Sequence, residues 1–240
     1  MDKYDTNPYN DCVPQFVKMF GDRDHTDITE DPIMPQLLDL LGDVSNLRVL
    51  DAGCGDGYVA RILHHRGANV TGIDIAAGLV ALARKKDAEG LIDYQAANLS
   101  EPLPGYEQQF DRVVSHLVLN DVYDYQGFIA TLGGVLKPKG RLVLSMNNPY
   151  SYVVRKHISD YFATDKAFPY RGMVAEGLKV HFYQRTLAQY LDAFFSVGFQ
   201  LERLVDLPTP ERFLNNKVDK LLPKGYQFPF FMILSFIKSS

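Results

Sequence analysis

The chain has 240 residues, 46% of them hydrophobic and 22% charged. That composition excludes a disordered or fibrous protein and suits one α/β domain burying roughly 70% of its unfolded surface. The net charge of −4 and pI near 5.8 argue against a nucleic-acid partner, which calls for a basic face, and the longest cationic run, Arg84-Lys85-Lys86, reads as a solvated helix face.

Arg48–Ala52 reads as a short buried strand running into glycines at 53, 55 and 57. A helical period follows from Tyr58 to about Arg66, with Val59, Ile62 and Leu63 on one face, and Gly67 stops it. Asn69–Asp74 is a second strand, and a helix from about Ala77 to Ala88 comes next. A strand near Asp93–Ala97 precedes a loop marked by Pro102 and Pro104. Phe110–Ser115 is a fourth strand, Tyr125–Leu136 a helix, Pro138-Lys139-Gly140 a turn and Arg141–Ser145 a fifth strand. This alternation predicts a doubly wound, mostly parallel sheet covered on both faces. Asn147 to about Gln184 is aromatic and weakly periodic, the kind of long connection that often forms a lid. A helix from Thr186, its expected N-cap, runs to Val197 and closes at Gly198. Phe199–Asp206 and Phe230–Lys238 follow as two strands with no crossover helix between them, so they should pair antiparallel.

The two cysteines, Cys12 and Cys54, make neither a disulfide framework nor a zinc site, and no metal is expected. The polar start, Met1 to Asp5, carries no signal-peptide pattern, and the longest apolar run, Phe228–Ile237, is about half of the ~20 residues that span a membrane. A cytoplasmic chain with no membrane partner is the expectation. Oligomeric state is not legible.

The loop Asp51-Ala52-Gly53-Cys54-Gly55-Asp56-Gly57 leaves the first strand and opens a helix. Glycines there permit positive φ and let a ligand lie on bare backbone, and the helix N-terminus offers free N–H groups. A dinucleotide loop needs G-x-G-x-x-G, but Tyr58 stands where its third glycine belongs. Asp74 ends the second strand about 20 residues on, where a carboxylate can take both ribose hydroxyls of either cofactor class. The alternatives are a tight turn for the glycines and a helix N-cap for Asp74. Cys54 reads as a small buried residue, not a nucleophile.

Val49 to Gly57, Gly72-Ile73-Asp74-Ile75, Phe110 to Val114 with Leu117 to Asp124, and Leu136 to Leu142 stand in order. Together they resemble the motifs of class I S-adenosylmethionine-dependent methyltransferases, strongly over about residues 46–146. The resemblance implies one domain over 1–240 with a seven-stranded sheet, a C-terminal antiparallel hairpin, an N-terminal helical flap in 1–45 and a substrate cap inserted at 147–186. It also implies S-adenosylmethionine as cofactor. Gly53, Gly55 and Gly57 would meet its methionine part, and Asp51 would orient the loop or reach the methionine amine. Asp74 would hold the ribose and Ile75 would pack on adenine. Asn98, where the family usually has an acid, and Leu99 would border the adenine, Ser115 the sulfonium region, and Tyr9 of the flap the cofactor.

The acceptor is less legible, because a sulfonium methyl needs mainly a nucleophile placed in line. Asn120-Asp121 stands where many relatives carry a His pair, which puts a His-based mechanism in doubt. Asn120 is a candidate to orient the acceptor, or else a cap or turn residue. His116 is the nearest candidate base, or else structural. In His181 to Leu187 the resemblance points to His181 and Tyr183 as pocket residues, with Arg185 an ion-pair partner or a carboxylate clamp. The expected function is methyl transfer to a small, partly apolar or aromatic metabolite. The alternative is a binding module for the same cofactor, a sensor or partner subunit without methyl transfer; an NAD enzyme ranks third.

Overall fold

The computed structural model describes residues 9–10, 13–20, 28, 31–154, 158–170, 180–209 and 227–239. Tyr4, Cys12 and residues 171–179 of the expected cap lie outside them. Helices separate the strands β1 (Arg48–Ala52), β2 (Asn69–Asp74), β3 (Asp93–Ala96), β4 (Phe110–His116) and β5 (Leu136–Asn147), except that a loop joins β3 to β4. Those helices are α1 (Val13–Phe20) and α2 (Met34–Leu41) ahead of β1, then α3 (Tyr58–His65), α4 (Ala77–Lys86) and α5 (Tyr125–Val135). Beyond β5 come α6 (Pro149–Val154), β6 (Ala167–Pro169), β7 (His181–Tyr183), α7 (Leu187–Ser196), β8 (Phe199–Pro208) and β9 (Pro229–Lys238).

Seven strands form one sheet in the order β3-β2-β1-β4-β5-β9-β8. The first five are parallel, while β9 runs antiparallel to both β5 and β8. The doubly wound sheet and its C-terminal antiparallel pair are therefore as the sequence predicts. Successive side chains of a strand point to opposite faces, and the core divides accordingly. Val49, Val114, Val143 and Ile233 join α2 and α3 on one face. Leu50, Val113, Leu142, Leu144, Met232 and Leu234 join α5 and α7 on the other.

Beyond shifts of one or two residues at element ends, two stretches differ from the sequence reading. β5 begins at Leu136, taking in the last residue assigned to the preceding helix and the Pro138-Lys139-Gly140 turn. Leu136 pairs with Phe110 and Arg141 with Arg112, so the residues between them bulge, and Lys139 takes a φ of +62°. The turn chemistry is present, but inside a ladder that continues on both sides of it. The second difference lies at 147–184, read as irregular. It holds α6 and the antiparallel pair β6–β7, where Phe168 faces Phe182. Aromatic stacking builds this unit: the Phe182 ring lies 3.8 Å from Tyr152, 5.6 Å from Phe168 and 5.1 Å from Tyr170. Strands of three residues carry too little periodicity to be read in advance.

Thr186 caps α7 as expected. Its hydroxyl accepts from the Gln189 amide at 3.2 Å while the Gln189 side chain accepts from the Thr186 amide at 2.9 Å. Among the described residues no helix is long and apolar enough to cross a membrane.

Candidate functional site

β1 has β2 on one side and β4 on the other, so the sheet grows outward in both directions from β1. In such sheets the crevice lies beyond the carboxyl ends of the strands at this switch point. The glycine loop leaves β1 there. It starts by extending the ladder, with the Gly53 and Cys54 amides donating to the Ile73 carbonyl at 2.8 and 3.1 Å. Gly53 then turns at φ +82°, and a Cβ at that position would collide with the Val118 side chain. Gly57 turns at φ +77° and starts α3. The Cys54 thiol is buried, and burial followed by the charges of Asp51 and Asp74 pushes its pKa well up, so it stays protonated. That matches its reading as an inert buried residue.

Asp51 is buried at the end of β1, with Gly72 and Val114 as its neighbours in the sheet. Asp74 ends β2. One carboxylate oxygen accepts from the Gly55 amide and the other from the Ala76 amide, both at 2.8 Å. Burial raises its pKa, opposed by those two amides. Each oxygen has a second lone pair, so the carboxylate can still accept two hydroxyls. Beside it Ile75 is 49% exposed, an apolar surface open to a flat ring. Bare loop backbone, a carboxylate with spare acceptor capacity and an exposed aliphatic platform fit a ribose-bearing cofactor.

The N-terminal segment lies against this loop. Asn10 accepts from the Gly78 amide at 3.2 Å, Val13 stands over Gly78, and the Phe16 ring is 3.9 Å from the Cβ position of Gly55. The Tyr9 hydroxyl reaches past the loop and donates to Asp121 at 2.5 Å.

Other residues expected at the site also make contacts within the framework. The Asn98 side chain accepts from the Ser100 amide at 3.0 Å and donates to Glu101 at 3.1 Å, forming a turn. Leu99 is buried in the core with Leu50 and Ile73. The buried Ser115 hydroxyl donates to the Ala52 carbonyl at 2.8 Å, tying β4 to β1. His116 Nδ1 pairs with the Ser145 hydroxyl at 2.8 Å. Asn120 lies in a 3-10 turn, Leu119–Asp121, and clamps the end of β5, accepting from the Asn147 amide at 2.9 Å and donating to its carbonyl at 3.4 Å.

On the cap side, His181 is exposed at the start of β7. Tyr183 is buried, edge-on to Tyr123 with ring centres 5.4 Å apart. Arg185 is a buried anchor. It donates to the Val122 and Tyr123 carbonyls at 2.8 and 2.5 Å and stacks on Tyr125 at 4.3 Å and Tyr183 at 5.1 Å. Its contact with Asp165 is longer, at 3.7 Å. The loop, Asp74, Ile75 and Tyr9 thus gather at one end of the sheet, whereas Leu99, Ser115 and Asn120 face inward.

Asp121 is the residue that sequence reasoning passed over in favour of its neighbour. Tyr9 holds one oxygen of its carboxylate and Tyr170 the other, at 2.6 Å. Burial pushes its pKa up to about 7, against the pull of those two hydroxyls. A carboxylate inside the apolar run Leu117-Val118-Leu119-Asn120-Asp121-Val122 was the available signal, since a charge so placed needs a compensating partner.

A methyltransferase domain family model matches residues 50–144, from β1 into β5. A ubiquinone biosynthesis O-methyltransferase of Pseudomonas aeruginosa is 34% identical over 129 residues, which cover 51% of this chain and 54% of that protein. The chain thus spans about half the length of the curated relatives it matches. A solved S-adenosylmethionine dependent methyltransferase from Mesorhizobium loti superposes with a TM-score of 0.70 at 25% identity, over 88% of this chain and 100% of that one. The fold is shared also with magnesium protoporphyrin IX methyltransferase from Synechocystis, solved with SAH bound, at a TM-score of 0.63 and 19% identity over 96% of each chain. With the sheet order, the glycine loop and the terminal acid of β2 in place, these matches show a methyltransferase domain over residues 50–144, within the fold of class I S-adenosylmethionine-dependent methyltransferases.

Proposed function

We propose that this protein is a cytoplasmic methyltransferase that uses S-adenosylmethionine to methylate a small, partly apolar or aromatic metabolite by in-line displacement. The observation that carries the reading is the cradle at the ends of β1 and β2, where the turned backbone at Gly55 donates to the Asp74 carboxylate, next to the exposed Ile75. When bound, S-adenosylmethionine supplies an electrophilic methyl carbon on a sulfonium. The loop backbone and Asp51 take the methionine end, Asp74 takes the ribose hydroxyls and Ile75 carries the adenine face. The chain works as a single domain, with the part of residues 1–45 ahead of the core helix α2 as a flap that excludes water over the loop and residues 147–186 as a cap that receives the acceptor. The cap segment is rich in aromatic side chains, as apolar pockets for metabolites are. His181 and Tyr183 belong to the acceptor side of this proposal, with His116 and Asn120 holding the strand ends beneath it.

The test is calorimetric titration with S-adenosylmethionine and with its demethylated product, followed by turnover against a panel of small aromatic and aliphatic acceptors. Micromolar binding of both forms and methylation of at least one acceptor are expected. Binding of both forms without turnover of any acceptor would turn the reading into a non-transferring binding module. Absence of binding would overturn it.

A further inference from the structure

The flap and the cap meet on one side chain. Tyr9 comes from the flap, Tyr170 follows β6 of the cap, and each donates its phenol to a different oxygen of Asp121. Asp121 closes the 3-10 turn whose neighbour Val118 packs over Gly53 of the cofactor loop. The carboxylate therefore stands beside the cofactor cradle, where flap and cap meet.

The two phenols are held differently. The Tyr170 hydroxyl also receives an Asn147 side-chain N–H at 3.4 Å and faces the Tyr152 hydroxyl at 3.4 Å, and its ring packs on Phe182. Burial and the Asp121 charge push the pKa of Tyr170 well up, so it stays a protonated donor. Tyr9 sits at the edge of the Phe16 ring, with centres 6.5 Å apart, on the segment that lies across the loop.

The geometry points to Asp121 as the catalytic base of an O-methyl transfer, with the Tyr9 phenol occupying, in the closed free chain, the place taken by the hydroxyl of a phenolic acceptor. This rests on the methyltransferase reading above. As the acceptor oxygen forms its bond to the methyl carbon, the carbon–sulfur bond breaks with its electron pair left on sulfur, and the hydroxyl proton passes to Asp121 and then to water. Tyr170 steadies the other carboxylate oxygen throughout. A carboxyl with a pKa of about 7 is poised for this work near neutral pH.

The experiment measures binding rather than turnover. The chain is saturated with the demethylated cofactor and titrated with catechol and with anisole, which lacks a hydroxyl donor. Hydrogen bonds to charged groups differ enough in strength from neutral ones to shift affinity roughly tenfold. We expect Asp121→Asn to weaken catechol about tenfold and leave anisole unchanged. Tyr9→Phe, which removes the internal competitor and leaves Tyr170 on the other carboxylate oxygen, should tighten catechol severalfold with no change for anisole. Equal effects on the two probes, a weaker rather than tighter catechol complex in Tyr9→Phe, or no catechol binding at all would overturn the inference. The first step of the titration keeps the two readings apart. Failure to saturate with the demethylated cofactor refutes the methyltransferase reading, whereas saturation without discrimination by Asp121 refutes this inference alone.

Discussion

Replacing Gly53 by alanine tests the cradle where its geometry is most demanding. Two costs add. A φ of +82° is a left-handed conformation that costs an L-residue about 1–2 kcal/mol. The new Cβ also drives into Val118, and overpacking of that kind costs about 1–3 kcal/mol. The loop can relieve both only by leaving the shape that the ligand meets. The cofactor must then restore that shape, and a cost of about 2–5 kcal/mol predicts affinity lower by about 30-fold to several thousand-fold. The assay is titration calorimetry with the demethylated cofactor, with thermal melting to confirm that the variant folds. Val118→Ala provides the internal control. In the double variant the two γ-carbon collisions are gone, while a tight 3.1 Å approach to the Cβ of residue 118 and the backbone cost remain, so the deficit should shrink toward about 5- to 30-fold. Affinity within twofold of the native chain in Gly53→Ala would refute the placement of ligand on this backbone. A double variant no better than the single one would refute the role given to Val118.

Asp74→Asn replaces one acceptor oxygen by an amide group facing either the Gly55 or the Ala76 N–H; we expect a loss of about 1–3 kcal/mol in thermal stability and at least a tenfold loss in cofactor affinity. Arg185→Lys should cost about 2–4 kcal/mol in a denaturant titration, because one ammonium cannot reach the Val122 and Tyr123 carbonyls together and stack on Tyr125. A loss under about 0.5 kcal/mol would show that the anchor is dispensable. The carboxyl of Asp121, with its pKa raised to about 7, keeps its proton in the folded chain over a range where the unfolded chain has lost it. Stability should therefore fall as pH rises from about 4 to about 7, by a ceiling of about 4 kcal/mol. The difference between native and Asp121→Asn melting curves across that range isolates this contribution, and a pH-independent difference would contradict it.

The half of the molecule built by local rules was legible in the sequence. β1, the glycine loop, α3 and β2 declare themselves because each boundary is set by residues within a few positions of it. The capping box at Thr186 and Gln189 is equally local. What escaped depends on partners far away in the chain. Asn120 could be read as a turn residue but not as a clamp on Asn147, 27 residues on. Asp121 could not be singled out because Tyr9 and Tyr170 lie 112 and 49 residues away. The bulge in β5 was hidden for a related reason. Pro138-Lys139-Gly140 has the composition of a free turn, and only the pairing of Leu136 with Phe110 shows that the strand has already begun. Ser115 and Leu99 carry the same lesson. Position in a motif put them near the cofactor, while the Ala52 carbonyl and the core on the α5 face determine where their side chains go.

That division bears on how the two sides of the site can vary. The cofactor side is made of backbone turned at glycines and of acids at strand ends, so it tolerates little change without loss of the loop. It lies within residues 50–144, the stretch that the family model recognises. The acceptor side proposed above draws on side chains from segments outside that stretch, Tyr9 before it and Tyr170 and Tyr183 after it. A fold of this class does not fix an acceptor. Substitution in the flap or cap can re-tailor it while the β1 and β2 ends stay as they are. Asp121 is where the two parts touch. It lies inside the recognised stretch, yet both hydroxyls on its carboxylate come from outside it. A change at Tyr9 or Tyr170 should therefore alter acceptor choice through the hydrogen bonding of a residue that neither segment supplies.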